Sequence, residues 1–279
     1  MNSFEDVEAL LAAQIYPHQT ADARKTLAFE AQDSFLLQHS TQVDDKRALT
    51  KKYTTYGEFP LATLHAILQR LNLGPEDVFL DLGSGSGRLV LGTALLFPHL
   101  KACYGVEVVP ELHAMAVEAG KKAEMMEDRP EMSPCRFVQG NVETGEYLRG
   151  EKEEGREEGR EEGRESSSPV SEATVIFTYC TTWRSENGFH LAQPLREALL
   201  ASAHPDVTII TTDKRFAEQE EEEEGEREGG RGFKVVESMT VSNPEVFESD
   251  VYFHRIEKGG RGRGREGESE DSRDGGRRA

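Results

Sequence analysis

The sequence predicts a doubly wound α/β domain: a mostly parallel, seven-stranded sheet covered by helices on both faces, with a helical N-terminal lobe. Three observations carry this. Between Val78 and Thr212, five short apolar runs alternate with helix-length segments, the pattern of strands buried on both faces and joined by crossover helices. The segment Asp81-Leu82-Gly83-Ser84-Gly85-Ser86-Gly87 places a glycine-rich turn directly between a strand and a helix. Two further β-like runs, 233–241 and 250–256, have no helix-length spacer between them, which predicts an antiparallel hairpin at the sheet edge.

The elements follow in order. Ser3 can cap a helix running to Leu11, and Thr20 a second in which Leu27, Ala28, Ala31 and Phe35 share a face. Leu61, Leu64, Ile67, Leu68 and Leu71 mark a third, stopped at Gly74-Pro75. Strands are then read at 78–82, 102–106, 135–138, 173–179 and 207–212, with helices at 87–97, 111–125 and 191–201. Residues 1–50 form the lobe, 51–257 the α/β domain, and 258–279 a Gly/Arg-rich tail too polar to fold.

Charge separates core from decoration. The 279 residues carry 33 Lys+Arg against 52 Asp+Glu, a formal charge of −19. Three low-complexity stretches, 151–168, 217–232 and 258–279, hold −4, −6 and +2 of it. The first contains three EEGR units at 153–164, with nothing apolar to bury; both internal stretches read as solvated loop expansions. The remaining core is still acidic, which argues against a broad nucleic-acid footprint on the folded domain. No apolar run approaches the ~20 residues of a membrane helix, and the opening MNSFEDVEAL has acid where an export signal needs base. Cys103, Cys135 and Cys180 are scattered, without a CxxC pair, so neither a disulfide framework nor a zinc site is read. Reduced thiols in the cytosol or nucleus fit best. The eight histidines lack paired ligand spacing, and no metal is expected.

The chemistry concentrates at the carboxyl edge of the sheet. Glycines after the first strand let the backbone turn tightly, and the helix beyond offers free N–H groups at its start. The spacing is G-x-G-x-G; Arg88 or Val90 stands where a dinucleotide fingerprint would end in glycine. An acid two residues before the first glycine, as Asp81 is, is instead the pattern of S-adenosylmethionine (SAM) sites. Glu107 ends the second strand, 20 residues beyond Gly87, where a carboxylate can accept both ribose hydroxyls of an adenosine. Asn141 and Val142 follow the third strand, where an adenine ring would lie. Upstream, Thr55-Tyr56-Gly57-Glu58-Phe59-Pro60 could fold over a ligand or simply cap the third helix.

The order TYGE, helix, DVFLDLGSGSG (77–87), YGVE (104–107) resembles the disruptor-of-telomeric-silencing type of histone-lysine methyltransferase, the non-SET class. The resemblance covers residues 51–258 and continues weakly through VIFTYCTTW (175–183) and DVYFHRIEK (250–258). It implies a class I, Rossmann-like SAM-dependent methyltransferase fold. It further implies that Asp81, Gly83, Gly85 and Gly87 hold the methionine portion of SAM and Glu107 its ribose. Asn141 and Val142 would flank the adenine, and Tyr56 and Glu58 would close over the cofactor. Tyr252 matches an aromatic near the family's lysine channel, and Trp183 keeps aromatic character after the fourth strand. Thr178, Tyr179, Cys180 and Thr181 stand where the family has an Asn-Asn-Phe run, Arg88 where it has an amide, and Asn141 where it has an acid.

Methyl transfer needs alignment and exclusion of water more than acid–base machinery. A lysine acceptor must first lose its proton, which an apolar aromatic channel favours by desolvation; Tyr179, Trp183 and Tyr252 are the candidates to line one. A histone H3 core lysine, docked as nucleosome through the basic tail and methylated in the nucleus, is one reading of the acceptor. A non-histone protein or small molecule, with a cytoplasmic location, is the other. A SAM-binding scaffold without turnover and a dinucleotide enzyme also remain open. A monomer without membrane contact is expected.

Overall fold

The computed structural model describes residues 3–17, 20–39, 57–126, 130–141, 168–181, 183, 185–218, 231–244 and 246–258. Tyr56, Val142, the EEGR units, most of the second insert and the C-terminal tail lie outside these residues.

Seven strands form one sheet: β1 (Val78–Leu82), β2 (Ala102–Glu107), β3 (Cys135–Gln139), β4 (Val175–Thr178), β7 (Thr208–Thr212), β8 (Arg231–Asn243) and β9 (Phe247–Lys258). Their order across the sheet is β3-β2-β1-β4-β7-β9-β8. The first five run parallel, while β9 pairs antiparallel with both β7 and β8. Every residue of β1, β4 and β7 is buried, the polar Asp81, Thr178, Thr208, Thr211 and Thr212 included, as in strands covered on both sides. The last two strands are the expected hairpin, but β9, the later in sequence, takes the inner place.

Helices cover both faces. α1 (Phe4–Leu10), a single π-turn (Leu11–Ile15), α3 (Leu61–Gln69) and α4 (Arg88–Leu96) bury Val7, Leu11, Ile15, Leu64, Ile67, Leu68, Val90 and Leu91 in one cluster with Phe79, Phe177, Ile210 and Phe253 of the sheet. On the opposite face α6 (Pro169–Glu172) and α7 (Gln193–Ser202) contribute Val170, Leu195 and Leu199 to a second cluster with Leu80, Ile176, Ile209, Phe216 and Phe233. Alternation along each strand divides the two sets.

The N-terminal segment is thus part of the main core. Ser3 caps α1 through the backbone N–H of Asp6, and Thr20 accepts from Ala23 at the start of α2 (Ala21–His39). α2 lays Ala28, Ala31 and Phe35 against Val109, Leu112 and Met115 around α5 (Pro110–Glu124). Leu27, expected on that face, is 42% exposed and lies outside this cluster. Two further boundaries differ from expectation. Arg231 and Gly232 open β8, and Arg231 donates to the carbonyls of Leu200 and Ala203. A small hairpin, β5 (Ser185–Glu186) and β6 (His190–Leu191), precedes α7, turning through Asn187 and Gly188 at positive φ; Asn-Gly was its signal.

Among the described residues no helix is long and apolar enough to cross a membrane, and no group of three or more His, Cys, Asp or Glu could hold a metal ion.

Candidate functional site

The glycine turn leaves β1 with Gly83, Gly85 and Gly87 at φ +79°, +53° and +82°, all in the region that side chains disfavour. At Gly87 a Cβ would also lie 2.7 Å from the Phe137 ring and 2.9 Å from the Ala116 Cβ. Glycine is therefore required twice there, by backbone and by space. The Gly83 and Ser84 N–H groups donate to the Val106 carbonyl, which presses the turn against the end of β2.

Two carboxyl groups are buried beside this turn. Glu107 accepts from the Gly85 N–H and from the Val109 N–H, both at 2.8 Å. Burial raises its pKa, while the N–H groups of Val109, Gly85 and Val108 pull it back. Asp81 is 3% exposed, and no hydrogen-bond donor or cation meets its carboxyl among the described residues. Burial first and the neighbouring Glu107 second push it up to about 8. A carboxyl in that condition suits a cationic ligand group. Gly140 donates to the Glu107 carbonyl, so Asn141 comes to the same edge.

The lobe braces the turn from behind. Tyr16 donates its hydroxyl to the Ser86 carbonyl at 2.8 Å. Arg88, the first residue of α4, grips both oxygens of Glu8 at 2.7 and 2.9 Å. Glu58 is held by Arg24 through two 2.6 Å contacts, and Arg24 lies 5.6 Å from the centre of the Tyr16 ring. Glu58 is therefore tied to the lobe that braces the turn. These braces span 34 to 80 residues, beyond the reach of any local sequence signal.

On the acceptor side the three aromatic candidates separate. Trp183 lies on the glycine turn: a Cβ on Gly83 would be 3.2 Å from its Cζ2. Tyr179 turns to the α3/α4 face, 5.4 Å from the Phe59 ring, and its hydroxyl accepts from Asn243. Tyr252 turns to the opposite face, meeting the Phe189 ring edge-on at 6.0 Å. Burial, then Asp250, raises its pKa. The described residues thus bring Asp81, the three glycines, Glu107, Asn141 and Trp183 together, but do not bring Tyr179 and Tyr252 to one channel. Cys180 is buried and its thiol pushed up to about 12, so it stays a thiol.

A parallel sheet with an antiparallel edge hairpin, a glycine turn after β1 and an acid ending β2 define a class I, Rossmann-like methyltransferase fold. Within that class, residues 38–154 match the family model "Histone methylation protein DOT1", the family that the TYGE, DLGSGSG and YGVE segments resemble. Relatives named "Histone-lysine N-methyltransferase, H3 lysine-79 specific" are 48% identical over 54 residues in Caenorhabditis elegans (19% of this chain, 6% of that protein). They are 39% identical over 64 residues in Cryptococcus neoformans (23% and 10%). The chain thus spans a tenth or less of these curated relatives' length. An RNA methyltransferase from Salinibacter ruber, solved with S-adenosyl-L-homocysteine, is 19% identical with a TM-score of 0.41, covering 71% of this chain and 92% of that one. Magnesium protoporphyrin IX methyltransferase from Synechocystis, solved with SAM, is 13% identical with a TM-score of 0.41 (83% and 96%).

Proposed function

We propose that the chain is a SAM-dependent methyltransferase acting on a histone H3 core lysine. The observation that carries the cofactor is Asp81, buried beside the glycine turn with its pKa raised and with no cation against its carboxyl among the described residues. SAM supplies both a cationic amino-acid end and an electrophilic methyl group on a sulfonium. In this reading Asp81 and the turn hold the amino-acid end. Glu107 keeps the turn and the start of α5 in place through Gly85 and Val109, and offers its remaining lone pairs to the ribose. Asn141 and Val142 flank the adenine, and Tyr56 with Glu58 closes the site from the lobe side.

The acceptor reading rests on the family match at 38–154 and the curated relatives' names. Transfer requires a neutral lysine amine aligned with the methyl group and shielded from water. Trp183 excludes water over the turn, and Tyr179 and Tyr252 flank the edge where an acceptor enters. The tail arginines Arg261, Arg263, Arg265, Arg277 and Arg278 supply the positive charge that an acidic core lacks for nucleosomal DNA, and the nucleus is the matching location. A second reading, a non-histone protein or small molecule, is favoured by Tyr179 and Tyr252 facing opposite sides of the sheet.

One experiment decides between them: methyl-labelled SAM incubated with the full chain and nucleosomes, histone octamers or fractionated cell extract. Label on H3 is expected. Label on another acceptor moves the assignment to the second reading, and SAM binding without any labelled product overturns the enzyme.

A further inference from the structure

We propose that Lys214 is the positioning residue that holds the loop after β4 on the glycine turn. Its ammonium donates to three backbone carbonyls of that loop: Cys180 at 3.1 Å, Thr181 at 2.9 Å and Trp183 at 2.7 Å. A lysine Nζ has three N–H groups on a compact charge, so three converging carbonyls match it. The same loop is fastened twice more to the end of β7. The Thr181 hydroxyl donates to Asp213 at 2.7 Å, and the Cys180 N–H to the Thr212 hydroxyl at 3.1 Å. A turn closed by the Trp183 N–H on the Cys180 carbonyl completes it.

The backbone that delivers Lys214 is strained. Asp213 has φ +61°, and the Lys214 N–H donates back to the Thr212 carbonyl at 2.7 Å, a γ-turn in its rarer, costly form. Such strain persists where the surrounding structure imposes it, typically at functional edges. Here it turns the chain at the end of β7 back toward the loop after β4. The product of the clamp is the place of Trp183, whose ring covers Gly83. Without the ammonium, three half-buried carbonyls must separate to find water, and the ring leaves the turn with them.

The statement about the loop stands alone; its consequence for cofactor affinity rests on the proposed function. Trp183 is the chain's single tryptophan, so its fluorescence reads the loop directly. The test compares full-length wild type, Lys214→Met, Lys214→Arg and Thr181→Val by acrylamide quenching, by calorimetry with S-adenosylhomocysteine, and by thermal melting to establish that each is folded. Lys214→Met is expected to raise the quenching constant at least about twofold and to weaken the ligand by about tenfold or more, the scale of losing one to two net charge-assisted hydrogen bonds. Lys214→Arg, which keeps charge and donors, recovers part of both. Thr181→Val loosens Trp183 in the same direction by less, and decides the matter if Lys214→Met does not fold. Unchanged quenching in the folded variant overturns the clamp. A loosened Trp183 with unchanged ligand affinity overturns its positioning role. A wild type that fails to bind the ligand refutes the cofactor reading instead, and quenching alone then decides the loop.

Discussion

Cofactor binding should expel a proton from Asp81. With its pKa at about 8, the carboxyl is protonated in about nine of ten molecules at pH 7, by simple titration. A ligand ammonium placed within about 4–6 Å favours the charged form and lowers such a carboxyl by roughly 1–3 units. Taking the middle of that range, the bound carboxyl titrates near ~6, and binding at pH 7 releases about 0.8 proton. Release fades toward pH 5, where both states hold the proton, and toward pH 9, where neither does. Between about pH 6 and 8 the affinity for S-adenosylhomocysteine therefore rises with pH, because less of the free protein has a proton to lose.

The assay is calorimetry at pH 7 in two buffers of different ionisation enthalpy; the dependence of the observed heat on the buffer counts protons. Tight binding with no buffer dependence would refute the idea that a buried neutral carboxyl receives the ligand. Because the neighbouring Glu107 carboxyl helps to raise Asp81, the proton can lie on either acid. Asp81→Asn separates the cases: release that survives in the variant moves the proton to Glu107. Stability supplies a second check. The folded carboxyl keeps its proton up to about 8, whereas its unperturbed value is 3.8. Folding therefore loses free energy from this group as pH rises through that window. Relative to wild type, Asp81→Asn should gain melting temperature between pH 5 and 8.

Gly87→Ala should cost roughly 2–4 kcal/mol in urea unfolding, the sum of a left-handed backbone and an overpacked Phe137–Ala116 contact; a loss under about 0.5 kcal/mol would mean the turn simply relaxes. Glu107→Gln turns an amide donor toward one of the Gly85 and Val109 N–H groups, and should weaken S-adenosylhomocysteine by about tenfold to several hundredfold. Unchanged calorimetric affinity in a folded variant removes Glu107 from the site. Truncation after Lys258 removes the basic tail and should abolish nucleosome labelling, itself strongly salt-sensitive in the full chain, while leaving ligand affinity intact; salt-insensitive labelling that survives truncation shows that docking lies elsewhere.

The parts of the site that were legible in sequence are those written in consecutive residues. β1, its glycine turn and α4 occupy one continuous segment, so an apolar run, closely spaced glycines and an apolar helix-length stretch located Asp81 and the turn together. Glu107 followed because a parallel neighbour strand ends at the same edge. What escaped was whatever depends on two distant segments meeting. Tyr16 and Ser86 are 70 residues apart, Glu8 and Arg88 are 80, and nothing local marks either partner. The separation of Tyr179 from Tyr252 has the same origin. Each is recognisable as an aromatic near the carboxyl edge, but the face each takes is set by strand register. Thr178 pairs with Thr211, and Thr211 with Tyr252, through a strand inserted out of sequence order. With a side-chain period of two, one residue of register decides between one channel and opposite faces. The acceptor side, assembled from β4, β7 and β9 across inserts and a reversed strand, is therefore where composition carries least information. It is also where the loop after β4 depends on a clamp from β7, because the chain leaves no continuous segment to shape it.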